Sequence, residues 1–165
     1  MTSDGGKTTF KDLPPLDDGM VDRAVQTILL LPLNWRSTEE EPVYSVSTES
    51  VTKLLSQNKV ASQTLSPITP ETRLRDERAM DWVGPTLLVS GAMLSQNPTA
   101  VNFALNIMAN YATDLFKGLR SDPNVKLSVV QTEQKGKKSR EVHYEGPASG
   151  LPALAKVLTA FERTD

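Results

Sequence analysis

A single histidine, His143, and no cysteine at all set narrow limits on the chemistry available to these 165 residues. A serine nucleophile relayed through histidine would have to use His143, and no glycine-rich nucleophile elbow accompanies any serine. Zinc needs several nitrogen, sulfur or carboxylate ligands at set spacing, which one histidine without cysteine does not supply. Ser50-Val-Thr-Lys53 has the Ser-x-x-Lys spacing of penicillin-recognising enzymes, but the Ser-Asp-Asn and Lys-Thr-Gly motifs that complete such a site are absent. Gly5-Gly6-Lys7-Thr8 ends like a phosphate-binding loop. It lacks the earlier glycine and the preceding strand that the loop requires. Glu39-Glu40-Glu41 reads as a solvated acidic run. The residues therefore point away from an enzyme, and neither a cofactor nor a metal is expected.

Two constellations with binding chemistry remain. Asn102, Asn106, Asn110 and Asp114 recur at every fourth position, which places them in one slowly drifting row along a helix. Amides in such a row can hydrogen-bond across a helix–helix seam and fix its register, or form the wet side of a core helix. Trp82, at the start of the preceding apolar segment, joins them as a candidate interface residue. The second constellation is basic: Lys135, Lys137, Lys138 and Arg140 cluster around one turn. Such a cluster suits phosphate on nucleic acid or another anionic surface. No aromatic residue stands among the four to stack on a base, and lysines also protect strand edges from aggregation.

The elements that position these residues follow from periodicity. A helix over residues 98–119 has its proline at the first helical position. Val101, Leu105 and Met108, with Phe103, Ile107 and Tyr111, make it apolar over most of its circumference, so it is expected to be largely buried. Residues 125–130 and 140–144 alternate in strand fashion. A two-residue turn at Gly136-Lys137 would pair Val129 with Tyr144 and Gln131 with Val142. Their opposite face then carries Ser128, Val130, Thr132, Glu141, His143 and Glu145. A closing helix over 152–161 presents Leu154, Val157, Leu158 and Phe161 to that hairpin. Upstream, residues 84–94 read as a compact helix. Val21, Val25, Ile28 and Leu29 share one helical face after a cap at Asp17 or Asp18. A short helix follows Thr48, another opens at Pro70 or Glu71, residues 56–72 read as a long loop, and residues 43–46 are a candidate third strand.

The expected fold is α+β and mostly helical. A C-terminal antiparallel hairpin, with a third short strand as an option, packs between a long apolar helix and a short closing one. Residues 1–16 are expected to be a flexible tail and residues 17–165 one domain. Within it, 17–80 form a helix and loop part and 81–165 a helix–helix–hairpin–helix module. The N-terminus has no apolar stretch of the signal-peptide kind, and no run of about 18 apolar residues predicts a membrane span. With no cysteine in use, a cytoplasmic location is expected. Net charge is only −2, but it is uneven. Residues 1–50 hold nine acids and four bases, and residues 117–145 hold seven bases and four acids. That asymmetry permits docking of the two ends or an acidic partner.

Asn97-Pro98, the run from Ala104 to Gly118, the strand at 125–130, Tyr144-Glu-Gly-Pro147 and Gly150-Leu151 together resemble a layout seen in small uncharacterised bacterial proteins. These are of the accessory kind that accompanies effectors in conflict systems. The resemblance covers residues 81–161 and implies a non-catalytic subunit that works by association. It carries no active-site residue. The leading expectation is an adaptor or accessory subunit that self-associates or binds a protein partner. The alternatives are nucleic-acid or anionic-surface binding through the basic tip, and membrane association by a helical pair over residues 82–116.

Overall fold

Ile28-Leu29-Leu30-Leu31 is apolar at every position, and all four side chains are buried. A strand covered on both faces has this composition, because alternate residues enter two different cores. The same holds for Thr86-Leu-Leu-Val89. In the computed structural model these two runs lie in the middle of a seven-stranded mixed sheet. The structure describes residues 6–37, 40–75, 81–119, 122–133 and 138–162. They form β1 (Lys7–Leu13), α1 (Asp18–Arg23), β2 (Ile28–Leu31), β3 (Val43–Ser45), α2 (Thr48–Gln57), β4 (Ser62–Thr64), β5 (Arg73–Arg75), β6 (Trp82–Val83) and β7 (Thr86–Val89). After these come α3 (Gly91–Gln96), α4 (Pro98–Leu115), β8 (Asn124–Thr132), β9 (Ser139–Pro147), a 3-10 turn (Ala148–Ala153) and α5 (Leu154–Glu162).

The sheet order is β1-β9-β8-β7-β2-β4, with β6 also paired to β8. Two parallel crossovers build it. One runs from β2 through α2 to β4, the other from β7 through α3 and α4 to β8. Helices α2 and α4 pack side by side on one face, and α5 packs against α4. The main core lies between that helical layer and the sheet: Val51, Leu55, Leu105, Met108 and Leu158 meet Leu30, Leu87, Leu127 and Val129. A smaller core covers part of the other face. There Ala24, Leu29, Leu31, Leu88 and Val130 are joined by Met20 and Trp35.

Several sequence expectations are corrected. The fold is not mostly helical with an appended hairpin, because helix takes 38% and strand 31% of the chain. Residues 28–31 and 86–89 mimic helix faces when joined to their neighbours, but each is a strand buried on both sides. Helix α1 therefore ends at Arg23, although Asp17 caps it as expected, its carboxylate accepting from the Met20 N–H at 3.2 Å. The expected flexible tail contains β1, which pairs with β9 along its whole length from Lys7↔Glu145 to Leu13↔Ser139. The third strand on the hairpin is β1, not residues 43–46, since β3 pairs with β5 in a separate two-stranded sheet. Arg73–Arg75 is strand rather than the start of a helix. The loop expected over 56–72 contains β4 and the end of α2.

The hairpin itself is present, two residues out of the expected register. Leu127 faces Tyr144, Val129 faces Val142 and Gln131 faces Arg140. The strands close where the Glu133 N–H donates to the Lys138 carbonyl at 3.0 Å, a longer connection than a two-residue turn. A two-residue shift equals the strand period, so every side chain keeps its expected face.

Candidate association surface

Pro98 starts α4, and Val101, Ala104, Leu105, Met108 and Ala112 anchor one side of it in the core. Successive fourth residues drift away from that buried side, so Asn102, Asn110 and Asp114 lie exposed and Asn106 is half-buried. The amide row is thus the outer surface of α4 and makes no seam with another element among the described residues. The Asn106 Nδ2 donates back to the Asn102 carbonyl of its own helix at 2.9 Å. Among the described residues, the side chains of Asn102, Asn110 and Asp114 meet no polar partner. Phe103 lies on this surface too and is 43% exposed. From Pro98 to Thr113 the helix carries no charged residue. Exposed helix faces of globular proteins ordinarily carry charged and polar residues, and here amides and one phenyl ring take their place. Sequence reasoning placed Phe103 in an apolar row and missed its exposure. The signal was its position three residues before Asn106, which puts it on the amide side one turn away.

Trp82 does not belong to this surface. It lies on β6, is 1% exposed, and packs its ring 5.8 Å from that of Tyr111. Its indole N–H donates to the Ser47 hydroxyl at 3.0 Å. Gly84 leaves room for it, since a Cβ there would stand 2.8 Å from the indole. A large ring with one polar tip has found both an apolar pocket and a partner, so Trp82 is a core residue.

The basic tip also loses a member. Arg140 faces inward between the rings of Phe10 and Phe161, its guanidinium carbon 4.8 and 4.3 Å from their centroids. Its Nε donates to Gln131 Oε1 at 3.0 Å and one terminal nitrogen to the Val157 carbonyl at 3.0 Å. The fully buried Gln131 amide donates to the Leu158 carbonyl. Two neighbouring side chains thereby hold α5 by its backbone. Burial pulls the Arg140 guanidinium below its ordinary pKa, and Asp12 opposes that pull. Lys138 is exposed, and Lys135 and Lys137 lie outside the described residues.

His143 stands on the open side of the hairpin, directly between Thr9 and Ser128. Its Nδ1 lies 3.0 Å from the Ser128 hydroxyl. The register error hid this pairing from sequence reasoning. Lys11 stands opposite Glu141, and Glu145 stands between Lys7 and Lys126. Lys126 also reaches Asp81 at 3.4 Å. Opposite charges alternate across the strands, so this face is self-neutralising, and an open recess of about 200 Å³ lies beside His143.

The remaining motifs resolve into surface and packing. Ser50 and Lys53 are exposed on α2, and Lys53 lines an open groove of about 400 Å³ with Glu49, Gln57 and Ile68. Gly6 packs against the Tyr144 ring, and Lys7 and Thr8 belong to β1. Glu40 and Glu41 are exposed, while Glu39 lies outside the described residues. Among the described residues, no group of three histidines or carboxylates could hold a metal. No described helix is long and apolar enough to cross a membrane. The first member of the helical pair expected over 82–116 is strand at Trp82–Val83 and Thr86–Val89 and becomes helix in the six residues of α3. No family model, curated protein or solved structure matches this chain.

Proposed function

We propose that the chain is a non-catalytic association module, an adaptor or accessory subunit that docks on another protein surface through the outer face of α4. The observation that carries this reading is the charge-free stretch Pro98 to Thr113, which exposes Asn102, Asn110 and Phe103 on the outside of the molecule. Depletion of charge and enrichment of aromatic residues are the compositional marks of an interface centre. Amides both donate and accept, so they can pair with whatever polar groups a partner presents. Light scattering of the purified 165-residue chain at micromolar concentration tests the reading. A mass above one 18.1 kDa chain, or a stoichiometric partner, is expected. A monomer that co-purifies with nothing contradicts it.

A further inference from the structure

The edge of β9 accepts β1, and the fit is specific at three points. A Cβ at Gly6 would stand 2.5 Å from the Tyr144 ring, and one at Gly146 would stand 2.2 Å from the Gly6 Cα, so the position just before β1 takes glycine. Phe10 lays its ring over the Arg140 guanidinium at 4.8 Å. Leu13 is half-buried and joins the smaller core. Between these points the ladder is unbroken from Lys7↔Glu145 to Leu13↔Ser139. A strand from another molecule that takes this place must supply a glycine, an aromatic ring and an apolar residue at the same spacing. The β1 of a second copy supplies all three, in the register that the structure already shows.

The link behind β1 does little to hold it. Pro14 and Pro15 are exposed, and among the described residues no backbone hydrogen bond is made by residues 14–16. Proline lacks an N–H, fixes its own φ and keeps the residue before it extended, so Leu13-Pro14-Pro15 forms no turn that opening would have to break. The other edge of β1 has no strand beside it among the described residues, so the rest of the sheet stays paired when β1 leaves. We infer that concentrated chains form an exchanged dimer, in which β1 of each copy pairs with β9 of the other and Pro14-Pro15 is the hinge. Every ladder bond lost within a chain is remade between chains, so the two forms differ only at the hinge and in the entropy of association. The exchange uses none of the outer surface of α4 and stands independently of the association reading above.

The chain has no cysteine, so disulfide trapping can read the exchange directly. Directly opposed residues of antiparallel strands have Cα atoms about 4.5–5.5 Å apart, within the span of a disulfide. Lys11 opposes Glu141, and Thr9 opposes His143. Chains carrying Lys11→Cys with Glu141→Cys, or Thr9→Cys with His143→Cys, are refolded from urea at rising concentration and oxidised, and circular dichroism checks each for refolding. Asn106→Arg is added to both, so that docking through α4 contributes nothing. A short link holds β1 near its own β9 at an effective concentration on the order of 1 mM. On a non-reducing gel, disulfide-linked dimer should therefore rise from about one chain in a hundred at about 10 μM to about one in three at about 500 μM. Thr9→Cys with Glu141→Cys is two residues out of register, more than about 7 Å apart, and should link neither within nor between chains. Closure only within the chain at every concentration, or dimer that forms equally with the out-of-register pair, overturns the exchange. Below about 10 μM the exchanged share is negligible, so a dimer found there by light scattering reports on α4 alone.

Discussion

Tyr144 shows how closely single residues are fitted. Its hydroxyl donates to the Pro147 carbonyl at 2.7 Å, and its ring is enclosed by Gly6, Gly146 and Gly150. A Cβ at Gly146 would stand 2.2 Å from the Gly6 Cα, where backbone rather than a flexible side chain must give way. Gly146→Ala is expected to cost about 1–3 kcal/mol, as overpacking does, and urea denaturation measures it. Burial, with a smaller push from Asp122, raises the Tyr144 phenol above its ordinary value. The protonated form is the neutral one, so the folded state holds this proton more tightly than the unfolded state. Its contribution to stability is complete below about pH 10 and fades as pH rises toward the folded value. Tyr144→Phe loses one hydrogen bond, about 1 kcal/mol at pH 7. The gap between variant and original should narrow above about pH 10. A gap that stays constant through pH 11 would contradict the assignment.

At the scale of elements, α5 is held to the sheet by more than its apolar stripe. Gln131 and Arg140 bond the carbonyls of Leu158 and Val157, and Arg140 is stacked between two rings. A lysine cannot reproduce a planar fork that both stacks and donates twice. Arg140→Lys is expected to lower stability by about 1–2 kcal/mol and to raise hydrogen exchange in α5 before the β8–β9 amides respond. Equal acceleration in both elements would count against the clamp. How far these elements could be read from the chain depended on burial. Helix α4 and the β8–β9 hairpin were legible because one face of each is apolar and the other polar. The two central strands were not, since a segment buried on both sides has no alternation to read. Strand β1 was hidden for the opposite reason. Lys7-Thr-Thr-Phe-Lys-Asp-Leu13 has little apolar content and is a strand only because β9 offers it a free edge. The site divided in the same way. Spacing alone placed the amide row on one face, whereas the burial of Trp82 and Arg140 follows from long-range packing.

For the whole molecule, the main core closes one side of the sheet, and the opposite charges of the hairpin's outer face stand paired across its strands. Among the described residues, the outer surface of α4 stands out by its amides, its phenyl ring and the absence of charge before Asp114. Association through that surface is the account's central claim. The most direct measurement is sedimentation equilibrium of the full chain beside Asn106→Arg, which places a charge at the middle of the proposed contact. The residue is half-buried on the outer surface, so the variant should melt within about 0.5 kcal/mol of the original. A charge left unpaired in a closed interface is costly, and the dissociation constant should rise by about a hundredfold or more. Unchanged association by the folded variant would contradict the claim.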